Sequence, residues 1–299
     1  MAQSNLHHDP KWTRASTLFA RTAIGKDVGL LGIPACETSL SPTSAHLTPA
    51  AIRLALGRYS TFSISHDVDL RNVDLRDIGD IDSPDGEDGE LRVASAVSNA
   101  RNNHKLLIAL GGDNSITYSV ARGLWPDLSE CGLITLDAHL DIRDGNSSGS
   151  PVWRIIQAGI GGHNIVQIGI SDFANSREYV ARAKDAGIHI ISRDVVRRRS
   201  IADVMSEALD IAGGNGREVY VDLDVDVCDR SVAPACPASI PGGITADELR
   251  QAAFLAGADA RVRALDITEI DAAMDSADQR TIRLGALLVL EAACGVALR

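Results

Sequence analysis

Eight apolar runs, separated by stretches of helical character, restrict this chain to one class of fold. They are VGLLGI (28–33), residues 73–78, KLLIAL (105–110), residues 132–137, IVQIGI (165–170), residues 188–191, EVYVDL (218–223) and residues 262–267. Continuous apolar runs belong to strands covered on both faces, whereas half-exposed strands alternate. Helices between consecutive strands belong to parallel crossovers. The pattern predicts an α/β fold, a single doubly wound domain with about eight mostly parallel strands. Helices are expected after Pro49, over 90–103, up to Trp125, and over 151–158, 175–186 and 200–212. Another opens at Thr245, with Glu248 completing a capping box, and a C-terminal helix starts near Ser276. Residues 35–48 and the acidic stretch 79–90 read as loops. Residues 1–26 read as a polar lead-in, with His7 and His8 on the surface, and 27–299 as the domain.

Composition excludes several classes of partner. The net charge of −11 is the wrong sign for tracking phosphates, so no nucleic acid is expected. The basic cluster Arg197 to Arg199 is short and reads as a solvated helix or loop end. Five cysteines are scattered without a CxxC, which fits neither a zinc ribbon nor a disulfide framework and suits a reducing, cytoplasmic setting. The N-terminus lacks the apolar core of a signal peptide. The apolar stretch from Leu284 to Leu298 is broken by Glu291 and is too short to span a bilayer.

In parallel sheets of this type, sites lie beyond the carboxyl ends of the strands. Four strand candidates end in polar clusters. KLLIAL runs into Gly111-Gly112-Asp113-Asn114-Ser115, and GLITL into Asp137, His139 and Asp141. EVYV runs into Asp222, Asp224, Asp226 and Asp229, and VRAL into Asp266 and Glu269. In extended backbone, residues two apart face one side, so Asp137, His139 and Asp141 would be offered together. Two carboxylates and an imidazole suit Mn, Fe or Zn. So many acids on one sheet edge need a counter-charge, and two divalent cations explain the number better than one. A lone Asp after a strand is more often a turn or helix cap. A lone His139 would more often be structural. Their joint placement favours a metal site.

The motifs DAHLD (137–141), GGDNS (111–115), DVDVCDRSVAP (224–234) with PGG (241–243), and DITE (266–269) resemble those of the ureohydrolases: arginase, agmatinase and formimidoylglutamase. The resemblance covers nearly the whole chain, from the first strand and PAAIR (49–53) onward. It implies an arginase-like three-layer α/β/α fold and a binuclear manganese centre. It also implies hydrolysis of an amidine or guanidine C–N bond by a metal-bridging hydroxide. By position, Asp137, His139, Asp141, Asp224 and Asp226 resemble the metal ligands, with Asp137 and Asp224 bridging. Asp141 resembles the residue that orients the hydroxide and passes its proton on. Glu269 resembles the acid that pairs with the substrate amidinium. Asp222 has no ligand counterpart and reads as a supporting residue.

Two departures narrow the resemblance. Asn114 stands where the family usually has His; as a weaker oxygen ligand it implies that one of two Mn²⁺ binds weakly or is absent. In the loop 144–151, Ser148 stands where arginases and agmatinases carry a proton-shuttling His. SGSPVWRII after DAHLDIR is more like the formimidoylglutamase branch. The implied reaction is hydrolysis of N-formimidoyl-L-glutamate to glutamate and formamide, as in histidine degradation. The alternatives are a hydrolase of another guanidino compound, and a non-catalytic protein with a partly lost metal site. Arg143 is expected at the pocket rim, binding a substrate carboxylate, with Asn146, Ser147 and Ser148 adding hydrogen bonds. The partners expected are a small amidine or guanidino substrate and, by analogy with the family, further copies of the chain in a trimer or hexamer.

Overall fold

In the computed structural model, which describes residues 9–19 and 26–299, the apolar runs become the strands of one sheet. In chain order the strands are β1 (Val28–Ile33), β2 (Phe62–Ser63), β3 (Val68–Asp69), β4 (Leu75–Asp80), β5 (Leu106–Gly111), β6 (Cys131–Leu136), β7 (Ile165–Ile170), β8 (His189–Ser192), β9 (Glu218–Asp224) and β10 (Val262–Thr268). The eight-stranded sheet has the order β4-β1-β5-β10-β9-β6-β7-β8. Every pairing in it is parallel. β2 and β3 form a separate antiparallel hairpin.

The strands read as continuous apolar runs because each face has its own core. Leu106, Ile108 and Leu110 of β5 enter one apolar cluster, and Leu107 and Ala109 enter the other. The first face is covered by α1 (Thr48–Leu56), α7 (Ile201–Ala212), α8 (Ala246–Ala258) and α9 (Arg280–Val296). The second is covered by α2 (Gly86–Arg101), α3 (Ile116–Leu124), α4 (Pro151–Gln157) and α5 (Arg177–Asp185). A single-turn helix, α6 (Arg193–Val196), follows β8. The capping box at Thr245 and Glu248 is present. No helix among the described residues is long and apolar enough to cross a membrane.

The structure differs from the sequence reading in three places. α2 begins at Gly86, inside the expected acidic loop, because Glu87 and Asp88 fall in its first turn and favour the positive end of the helix dipole. α9 begins at Arg280 rather than near Ser276; Asp275 accepts from the backbone N–H of Ile282 at 2.9 Å and so satisfies an otherwise orphan donor. Of the lead-in, residues 9–19 are described, and Ala15, Leu18 and Phe19 pack into the first core. His7 and His8 lie outside the described residues.

β5, β10, β9 and β6 are adjacent at the sheet centre. They are the four strands whose carboxyl ends carry the polar clusters. Cross-strand register aligns Asp266 with Asp222 and Thr268 with Asp224, and Leu136 with Leu223. The last residue of each strand therefore delivers its acidic loop to one level.

Candidate metal centre

The DAHLD segment turns as soon as β6 ends. The strand stops at Leu136, and Asp141 has φ +50°, in the left-handed region. The three residues thus converge through a tight loop, not through the strand alternation expected from the sequence. The loop is tied down by backbone contacts. The Asp137 carboxylate accepts from the His139 N–H at 2.6 Å. Asn175, beyond β7, accepts from the Leu140 N–H at 2.9 Å and donates to the Ala138 carbonyl at 3.1 Å. A left-handed non-glycine residue is strained and persists only where its surroundings fix it.

After β9, the Asp224 carboxylate accepts from the Asp226 N–H at 2.9 Å, and Asp226 accepts from the Ala138 N–H at 3.3 Å. The β6 and β9 loops are laced together in this way. After β10, Glu269 also has a left-handed backbone, φ +62°. Its carboxylate accepts from the Asn114 N–H at 2.8 Å, joining the β10 and β5 ends.

Two overlapping groups of donor atoms result: Asp137, His139 and Asp226, and Asp137, Asp141 and Asp224. In each, the donors lie within 4.8 Å of one another. Asp137 belongs to both, is fully buried, and its Oδ2 has no hydrogen-bond partner. An orphaned carboxylate oxygen at the junction of two oxygen-rich groups fits hard divalent cations well.

Electrostatics point the same way. Burial, then the charges of Asp141 and Asp226, pushes the Asp137 carboxyl well above the ordinary carboxylate range. Burial, then Asp226 and Asp137, does the same to Asp224. Burial raises Asp141 to about 6. Burial and Asp113 raise Glu269 to about 8. For His139, burial opposes the charge, but Asp226 and Asp137 outweigh it and push the pKa up to about 12. Its Nδ1 lies 3.0 Å from Asp226 and 3.3 Å from Asp137. The imidazolium in turn holds Asp226 below the usual range despite burial.

Asn114 is held by three side chains. Its amide nitrogen donates to Asp141 at 2.7 Å. Its amide oxygen accepts from the hydroxyls of Thr117 at 2.9 Å and Thr268 at 3.0 Å. An ionised carboxylate only accepts, so the NH₂ must face Asp141. Asn114 thus offers Asp141 a donor while its oxygen is held by the two hydroxyls. Beneath this layer, Asp222 and Asp266 are fully buried cross-strand partners, and the Tyr220 hydroxyl donates to Asp266. Burial and Asp266 hold the Asp222 carboxyl well above its ordinary value, as befits a supporting acid.

The centre opens into a cavity of about 310 Å³. His139, Asp141, Asp224, Asp226 and Glu269 line its floor, and Arg143 and Ser148 its wall. The positive charge of Arg143 acts on the Asp141 carboxyl and partly offsets the effect of burial there. Ser148 accepts from the Leu40 N–H at 3.2 Å, tying its loop to the chain after β1. Asn146 does not reach this cavity. It accepts from Arg154 at 2.8 Å in a separate surface recess with Glu90, because Arg154 bridges the two side chains. The sequence reading did not single out Asn175 or Tyr179, which also line the cavity. Asn175 follows a strand end on the same sheet edge and could have been found by the rule that located the other clusters.

Comparison with known proteins agrees with the fold and the motifs. Formimidoylglutamase of Halalkalibacterium halodurans is 33% identical over 271 residues, covering 88% of this chain and 85% of that one. The solved formimidoylglutamase of Bacillus subtilis superposes with a TM-score of 0.92 at 30% identity, over 100% of this chain and 96% of that one. A Trypanosoma cruzi formiminoglutamase solved with Mn²⁺ shares the fold, with a TM-score of 0.87 at 24% identity over 96% and 99% of the two chains. The model for the arginase family matches residues 26–295, and the chain belongs to that family.

Proposed function

We propose that this protein hydrolyses N-formimidoyl-L-glutamate to glutamate and formamide, with Asp137, His139, Asp141, Asp224 and Asp226 holding two Mn²⁺ ions. The observation that carries the reading is the pair of donor groups sharing Asp137, on the floor of a cavity whose wall holds the Arg143 guanidinium. Relatives of the formimidoylglutamase type, matching most of the chain, support the choice of substrate.

When bound, the cations compensate the carboxylates and acidify a water molecule, so that a nucleophile is available near neutral pH. Asp137, in both groups, would contribute to holding either ion, with Asp224 in one of them. Water adds to the amidine carbon, the C–N bond to glutamate breaks, and the departing amine takes up a proton. Asp141 is placed to orient the attacking water, accept its proton and hand it to that amine. Its left-handed backbone and the Asn114 amide fix its direction. Glu269 meets the planar amidinium through a charge-assisted pair. Burial leaves its carboxyl titrating near 8, so an arriving cation draws it into the ionised form. Arg143 binds a glutamate carboxylate bidentately, and Ser148 keeps that wall in register.

The reading includes a cytoplasmic location, consistent with five free thiols, and a homo-oligomer, trimeric or hexameric as in the family. Light scattering tests the latter. The decisive assay offers Mn²⁺-loaded protein N-formimidoyl-L-glutamate, agmatine, arginine and guanidinobutyrate. Formamide from the first and no urea from the rest is the expected result. Urea from any guanidine overturns the substrate, and no product with no retained Mn²⁺ overturns the enzyme.

A further inference from the structure

The segment Asp141–Asp144 joins the acid that handles the proton to the arginine that meets the substrate carboxylate. Its backbone is held residue by residue. The Asp141 carbonyl accepts from the Trp153 N–H at 3.2 Å, and the Arg143 N–H donates to Gly149 at 3.0 Å. The Ile142 carbonyl accepts from Nη1 of Arg182, on α5, at 2.9 Å. The same nitrogen donates to the Asp144 carboxylate at 2.8 Å. Arg182 thus grips the residues on both sides of Arg143.

Arg182 is itself caged. Its guanidinium lies 4.5 Å from the ring centre of Trp153 and 5.2 Å from that of Tyr179, within cation–π range. Trp153 lies in the first turn of α4, and Tyr179 lines the cavity. The cage therefore ties α4 and α5 to the loop that carries Arg143. Arg182 also holds the carboxylate of Asp144, the residue next in sequence to Arg143.

The path of the Arg143 side chain is equally restricted. A Cβ built on Gly149 would lie 3.0 Å from Arg143 Cδ, 3.2 Å from its Nε and 2.7 Å from Leu40 Cδ1. The arginine stem crosses the bare Cα of Gly149, beneath Leu40, and any side chain there would push it aside.

We infer that Arg182 is a positioning residue that sets the enzyme's grip on the carboxylate end of its substrate, by locking the chain on either side of Arg143. The inference rests on the carboxylate role proposed for Arg143. Arg182 acts through Arg143 and touches no reacting atom, so its loss should weaken substrate binding and spare the chemical step.

The test compares N-formimidoyl-L-glutamate with N-formimidoyl-n-butylamine, which has the amidine and no carboxylate, on Mn²⁺-loaded full-length protein. Arg182→Met should raise KM for the first substrate roughly tenfold, the size of one weakened charge-assisted bond. It should leave kcat within about twofold, and kcat/KM for the butylamine compound unchanged. Arg182→Lys should recover most of the loss, because both bonds come from one nitrogen that an ammonium can replace. Gly149→Ala, which leaves Arg182 in place, should reproduce the KM effect and guards against misfolding of the first variant. If Arg143→Ala abolishes the preference for the carboxylated substrate while Arg182→Met and Gly149→Ala retain the parent KM, this inference fails and the role of Arg143 stands. If Arg143→Ala keeps the preference, both fail. An equal loss on the two substrates in Arg182→Met marks a general scaffold defect and also overturns the inference.

Discussion

Asp137 sits between two carboxylate groups that are balanced in different ways. Toward Asp226 the balancing group is the His139 imidazolium, 3.0 Å away and strongly protonated. Toward Asp141 it is the neutral amide of Asn114, whose oxygen is occupied by Thr117 and Thr268. An imidazolium that gives up its proton becomes a nitrogen ligand, so the His139 side can exchange a proton for a metal ion. The Asn114 side has no such exchange, because an amide NH₂ donates but does not coordinate. Two sites of similar carboxylate content should therefore differ in affinity, with the His139 and Asp226 side the tighter.

Removing the shared residue erases the difference altogether. Asp137→Ala is expected to lower kcat/KM by about a thousandfold or more and to deplete both ions, measured by metal analysis after Mn²⁺ loading and gel filtration. Two ions retained in that variant would mean that Asp137 is not common to the sites.

A smaller effect is expected from making the two sides alike. Asn114→His supplies a ring nitrogen beside Asp141 and should tighten the weaker Mn²⁺ by roughly 10- to 100-fold in calorimetric titration. Unchanged stoichiometry and affinity would place position 114 outside the coordination sphere.

The smallest effect concerns pH. Asp141 and Glu269 have folded-state values of about 6 and about 8, against ordinary values of 3.8 and 4.5. His139 is raised in the same sense. With raised values the folded chain binds more protons than the unfolded one, so stability is present at low pH and lost as pH rises through the folded values. Without added metal, Tm should fall between about pH 5 and pH 8. Mn²⁺ replaces the protons, so the Tm gain on adding it should be greater at the upper end, by about 5 °C. A gain independent of pH would show that these groups do not compete with the ion.

Much of this was legible in the sequence because a strand buried on both faces leaves a continuous apolar run, and the site lies where such runs end in acids. The order of the strands was not legible. Nothing local to β5 and β6 says that β9 and β10, supplied much later in the chain, will insert between them. The direction of the Asn114 amide was hidden for a related reason. Thr117 is its neighbour by sequence, but Thr268, the second hydroxyl on the oxygen, arrives from β10. Asn146 was misplaced because a polar loop residue can face either of two recesses, and the Glu90–Arg154 pair that captures it involves α2, whose start the acidic Gly/Asp composition concealed.

The central position of β9 and β10 also bears on how the molecule is made. Until residues 218–268 have left the ribosome, β5 and β6 have no partner on their inner edges, and each half-sheet exposes a row of unpaired backbone groups. Closure across such long sequence separations is slow in parallel sheets, and open apolar edges invite association with other chains meanwhile. The strands that complete the acidic cluster are thus also the ones that seal the sheet. A chain truncated before Val262 should lack Glu269 and, in addition, remain aggregation-prone.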